Sequence, residues 1–159
     1  MNFIYVYLGI LFAIVLGVYF YYRSINSNNQ PLVDALYTEA LNSMVNGDIN
    51  SAIQILKRVV KQDSNHVRAY LQLGNILRND NPEQAIKIHQ SLTVRPNLSR
   101  QLQVDIHSAL ADDYKLLSNN FKAKEEAKLI LGIEKRNLWA INFLINTSVE
   151  NQNWEEAFK

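Results

Sequence analysis

Residues 70–92 read YLQLGNILRNDNPEQAIKIHQSL. Leu73 and Gly74 sit side by side, Asn81–Pro82 interrupts a helical pattern, and Ala85–Ile86 restarts it. Asn81 is a candidate N-cap, Pro82 suits the first helical position, and Gln84 closes a capping box. The stretch therefore reads as two short helices folded back on each other. A hairpin this small cannot bury its own apolar face, so it needs similar units stacked beside it.

Such units recur along the chain. Ala40, Gly74, Ala111 and Ile145 mark the middle of successive first helices at spacings of 34, 37 and 34. Ala52, Ala85, Ala123 and Ala157 mark the start of successive second helices at 33, 38 and 34. Both steps match the tetratricopeptide repeat, a helix–turn–helix of about 34 residues. Repeats are expected at about 33–66, 67–99 and 104–137, with a truncated one at 138–159. Repeat one turns at Asn46–Gly47–Asp48, where glycine takes the left-handed cap and Asp48 caps the next helix. In repeat three Ser118 replaces the turn glycine, and the first helix enters from about Ser99. Asn153 to Glu156 forms a second Asn-x-x-Glu box just before the sequence stops. Repeat arrays close with a polar capping helix, so the chain is expected to be the N-terminal part of a longer protein.

Upstream lies a different kind of segment. Phe3 to Tyr22 is a 20-residue run without a charged side chain, about 30 Å long as a helix, the thickness of a bilayer's hydrocarbon. Its Leu, Ile, Phe and Val residues favour insertion by roughly 4–7 kcal/mol. Tyrosines cluster at both ends, as interfacial belts require. The run lacks the preceding Lys or Arg and the following small-x-small site of a cleaved leader. The expectation is a transmembrane anchor at 1–23, in contact with lipid through 3–22, and a polar linker at 24–32. Gly9, Ala13 and Gly17 form a small-xxx-small series suited to close helix packing in the membrane. Arg23 places the repeats on the cytoplasmic side of the inner membrane by the positive-inside rule. Absence of cysteine agrees with a reducing compartment. The expected fold is all-α: one N-terminal transmembrane helix followed by an α-solenoid of tetratricopeptide hairpins.

Catalysis finds no support in the residue pattern. The three histidines, His66, His89 and His107, lie 23 and 18 residues apart, and no HExxH, CxxC or glycine-rich phosphate loop occurs. Asp112 and Asp113 are adjacent, so on a helix they point about 100° apart and share no substrate atom. The net charge is +1, and the basic excess within 51–100 reads as a solvated helical face rather than a nucleic-acid surface. Neither enzyme chemistry nor a cofactor or metal is expected in this chain. Protein binding is, on the concave face lined by first helices. That face would include Tyr37, Leu41 and Met44, then Arg68, Leu71, Asn75, Arg78 and Asn79, then Asp105, Ser108, Asp112 and Lys115. Asn75 and Asn79, one turn apart with Arg78 beside them, have the makings of a clamp for a partner's backbone or carboxylate. His89 reads as a packed residue of the second helix.

Leu73-Gly-Asn-Ile-Leu-Arg78 and Gln84-Ala-Ile-Lys-Ile-His-Gln90 look like the "LGNLFR…RAIRIHQ" segment of the lipopolysaccharide assembly protein B family of Gram-negative bacteria. Asn75, Arg78, His89 and Gln90 are not consensus repeat positions, so the likeness exceeds that of generic repeats. The resemblance implies a membrane anchor, a cytoplasmic tetratricopeptide array and a C-terminal rubredoxin-like metal domain. The last needs paired CxxC motifs, which this cysteine-free chain lacks, so that metal site is expected only beyond residue 159. It also implies an adaptor that brings the deacetylase committing lipid A synthesis to a membrane AAA+ protease. Two other roles fit the residues: a membrane-tethered scaffold in secretion or cytochrome assembly, and the accessory arm of an enzyme domain beyond residue 159.

Overall fold

Ala52, Ile55, Leu56 and Val59 fall at the i, i+3, i+4, i+7 spacing of one helix face, and all four are buried. The same logic repeats down the chain. The computed structural model describes the backbone of residues 2–150 and the side chains of 5, 7–21 and 31–150. Seven helices appear among these residues: α1 (Asn2–Val45), α2 (Ile49–Gln62), α3 (Val67–Leu77), α4 (Pro82–Thr93), α5 (Arg100–Leu116), α6 (Asn120–Ile133) and α7 (Leu138–Glu150). Each packs on the helix before and after it, and α3 also touches α5. That is the layout of stacked hairpins, with α3, α5 and α7 as successive first helices.

Every turn has a local cause. Asp48 accepts the Ser51 N–H at 3.0 Å and caps α2, while Gly47 takes the left-handed conformation at φ 78°. Ser118 does the same job at φ 56°. Asn81 accepts the Gln84 N–H at 3.1 Å, with Pro82 in the first turn of α4. The return bond of a capping box is altered, because the Asn81 backbone N–H is already given to Leu77 O; Gln84 Oε1 accepts instead from the Asn81 side-chain amide at 3.4 Å. Ser99 caps α5 through the Leu102 N–H, so the longer entry to repeat three is real.

Two core clusters meet at α3. Leu73 joins Val33, Leu36, Ala40, Ile55, Leu56 and Val59 on the α1–α2 side. Leu71, two residues away and so on the other flank, joins Leu92, Ile106, Leu110, Tyr114 and Phe143. Side chains alternate between neighbours in this way because no hairpin holds enough apolar surface for itself. Ala52, Ala85 and Ala123 are fully buried where second helices cross their partners, and so are Ala40 and Ala111 in the first helices. In α7 Ile145 is 40% exposed, and the buried small residues are Ala140, Thr147 and Ser148. The Asn153–Glu156 box and Ala157 lie outside the described residues.

The transmembrane part of the expected fold is corrected. Among the described residues no helix is long and apolar enough to cross a membrane. Phe3, Ile4, Val6 and Tyr22, which the expected span also used, lie outside the described side chains. Nor does the backbone break at the 24–32 stretch: α1 runs through it, with Pro31 inside, into the first repeat, where Val33 and Leu36 begin the core.

Gly74 is the tightest point in the array. A Cβ built there overlaps His89 Nε2 and comes within 2.8 Å of both flanking ring carbons. The His89 ring is buried and held at both nitrogens, so it has no room to yield. Gly74→Ala is therefore expected to lower stability by about 1–3 kcal/mol, despite alanine's better helix propensity, as measured by urea unfolding. An unchanged midpoint would mean that the ring moves freely.

Candidate functional site

Arg78 ends α3, and its guanidinium turns inward. Nε donates to Asp113 Oδ1 at 2.5 Å, and Nη2 donates to Asn75 Oδ1 at 3.0 Å and to Ala109 O at 3.1 Å. Asp112 Oδ2 lies 3.6 Å from Nη1. The other oxygen of Asp113 bonds His89 Nδ1 at 2.6 Å, and His89 Nε2 reaches Leu71 O at 3.2 Å. Both ring nitrogens are thus held, one by the carboxylate and one by a backbone carbonyl. One step further along α4, Gln90 donates to Tyr114 OH at 2.8 Å. Three helices, α3, α4 and α5, are thus tied through a single fully buried carboxylate. Among the described residues every buried side-chain nitrogen and oxygen has a partner.

Above this network lies a solvent-open groove of about 430 Å³ between α3 and α5, lined by Leu71, Gln72, Asn75, Arg78, Asp105, Ser108, Ala109 and Asp112. Of the concave residues named from sequence, Leu71, Asn75, Arg78 and Asp112 come together here, with Asp105 and Ser108. Leu71 contributes from below, since it is buried. Arg68 and Asn79 are exposed on α3 and its end, outside the lining. Lys115 also lies outside it, bonded to Glu150 at 3.0 Å and 5.7 Å from the centre of the Phe143 ring. Tyr37 packs against His66 at 4.7 Å between ring centres, and burial raises its hydroxyl's pKa against the opposing pull of Arg68. Gly9 and Gly17 on α1 have open space where a side chain would be.

Gln72 is a lining residue that sequence reasoning passed over. The signal was present: Arg68, Gln72, Asn75 and Asn79 follow the i, i+4, i+7, i+11 row of one face. Asp113 carried no comparable signal, because its two partners sit 35 and 24 residues away. The remaining histidines are also accounted for. His66 caps α3 by accepting the Ala69 N–H at 3.1 Å, and His107 Nδ1 lies 2.7 Å from Glu126 on α6. Among the described residues no group of three His, Cys, Asp or Glu is placed to hold a metal ion.

No family model matches the chain. It is 24% identical over 149 residues to lipopolysaccharide assembly protein B of Escherichia coli K12, covering 91% of this chain and 38% of that protein. The same figures hold for the protein of that name in strain O157:H7. The backbone matches a MamA fragment (41-end) from Desulfovibrio magneticus RS-1, with TM-score 0.67, 16% identity and coverage of 79% of this chain and 69% of that one. It also matches a tetratricopeptide repeat protein from Parabacteroides merdae ATCC 43184, with TM-score 0.67, 19% identity and coverage of 79% and 49%. The chain is a helical repeat protein of the tetratricopeptide type, similar to lipopolysaccharide assembly protein B. It spans little more than a third of the length of those curated relatives. The structural likenesses, at such low identity, speak for the fold alone.

Adjacent aspartates are expected to behave in opposite ways. Burial raises the Asp112 carboxyl's pKa; Arg78 pulls it back, Asp113 adds to the rise, and Lys115 opposes it. A carboxyl raised in the fold binds protons more tightly there than in the unfolded chain, so its contribution to stability falls as pH rises through the raised value. Asp112→Asn should thus be neutral or mildly stabilising at neutral pH, with the benefit fading in mild acid. Asp113→Ala leaves Arg78 and His89 without their shared acceptor and should cost about 3–5 kcal/mol. Urea unfolding of both variants at the two pH values checks this; equal effects would contradict the assignment.

Proposed function

We propose that this chain is an adaptor module that holds a protein partner along its concave face, in the regulation of lipopolysaccharide synthesis or assembly. The observation carrying this reading is the open groove between α3 and α5, whose polar side chains stand on a rigid, fully bonded base. A fixed scaffold lowers the ordering cost that a binding surface otherwise bears. The role proposed for it is binding. Its partner surface comprises Asn75, Arg78 and Asp112 in the groove with Leu71 beneath, and Arg68, Asn79 and Lys115 at its margins.

The similarity to lipopolysaccharide assembly protein B supports the pathway. Following that resemblance, the partners we propose are the lipid A deacetylase and a membrane AAA+ protease. The place of action is the cytoplasmic face of the inner membrane. Bringing two such proteins to one array raises their effective concentration without requiring new chemistry.

A photo-reactive amino acid at Ser108, in the groove, is expected to cross-link in cells to a protein of lipopolysaccharide synthesis. The same group at Glu125, exposed on α6, should not. Absence of any cross-link specific to Ser108 would remove the adaptor reading.

A further inference from the structure

The groove's sign differs from what its arginine suggests. Arg78 is the cation in the lining, yet its N–H groups go to Asp113, Asn75 and Ala109 O. Lys115, the next cation along α5, is paired with Glu150. Two carboxylates stand on the wall, Asp105 and Asp112; Asp112 keeps a longer contact of 3.6 Å to Arg78 Nη1, and Gln101 donates to only one oxygen of Asp105. Among the lining residues the two carboxylates, Asp105 and Asp112, outnumber the one cation, Arg78. Net negative charge in a groove on a chain whose overall charge is +1 is a local feature, not a bulk one.

Resting on the adaptor reading, we infer that the groove docks an extended, basic segment of the protein partner, with Asp105 and Asp112 each receiving a Lys or Arg side chain. Asp105 and Asp112 are seven residues apart on α5, two turns or about 10 Å. In a polyproline-II segment, residues three apart lie on one side about 9 Å from each other. A Lys/Arg-x-x-Lys/Arg pattern therefore matches the two carboxylates in register. Between them, the Gln72 and Asn75 amides and the Ser108 hydroxyl supply donors and acceptors for a peptide backbone. Because Asn75 spends its side-chain oxygen on Arg78, it offers the ligand its amide N–H. Asp112 gains from such a ligand, because the incoming cation offsets the cost of holding a carboxylate in a half-buried place.

The test titrates the full chain with two fluorescein-labelled peptides, one carrying Lys-x-x-Lys and the other Glu-x-x-Glu on the same Ala/Pro frame, read by anisotropy at low and moderate salt. The lysine peptide is expected to bind, to weaken with salt, and to lose about tenfold in affinity when Asp105→Asn and Asp112→Asn are combined. Circular dichroism of that double variant should match the parent. Preference for the glutamate peptide, or an unchanged affinity in the folded double variant, overturns the assignment of sign while leaving a docking groove in place. Binding of neither peptide overturns it as well, and cross-linking at Ser108 then reports separately on the adaptor reading.

Discussion

One carboxylate organises the middle of this array. Asp113 receives Arg78 from the end of α3 on one oxygen and faces His89 from α4 on the other, with Asp113 and His89 fully buried. Withdrawing these charges from water is costly, and an apolar replacement of equal volume can be just as stable. What the network supplies is a unique fit. Stacked hairpins present similar apolar stripes to one another and tolerate sliding, whereas a buried carboxylate with two required partners fixes one register of α5 against the α3–α4 hairpin. Gly74 belongs to the same constraint, since the His89 ring occupies the space a side chain would need.

Register in turn determines the groove. With Arg78 drawn down onto Asp113, the α3–α5 face loses its free cation and keeps Asp105 and Asp112 at the wall. The longer α5, entering at Ser99 and running 17 residues against 11 in α3, sets the step of 37 and extends the wall past the end of its neighbour. Lys115 then reaches α7, where Trp139 stacks on Phe143 at 4.9 Å between ring centres. Structural and binding roles are therefore layered: a locked base of Arg78, His89 and Asp113, and a polar surface above it.

Much of the architecture was readable from local chemistry. Turn glycine at Gly47, caps at Asp48, Asn81 and Ser99, and the apolar stripe of α2 are all short-range signals, and helix boundaries follow from them. Asn75, Arg78, His89 and Gln90 stood out as departures from a generic repeat, but their meaning did not. Arg78, His89 and Gln90 find partners at Asp113 or Tyr114, and a pairing that spans 24 to 35 residues leaves no periodic trace, while Asn75 bonds Arg78 three residues on. Arg78 read as a surface clamp; in the structure it lines the groove half-buried, and its guanidinium is bonded to Asp113, Asn75 and Ala109 O. Ile145, the expected small-residue marker of the last first helix, is 40% exposed, and α7 buries Ala140, Thr147 and Ser148. The N-terminal segment departs from its reading too: among the described residues no helix is long and apolar enough to cross a membrane, and the polar stretch after it does not end α1.

A double-mutant cycle between Arg78→Ala and Asp113→Ala, read by equilibrium unfolding, bears most directly on the lock. The two substitutions should be strongly non-additive, with a coupling of about 2 kcal/mol or more, because either one alone already breaks the network. Additive effects, with coupling near zero, would mean that Arg78 and Asp113 act independently and that register is held by apolar packing alone.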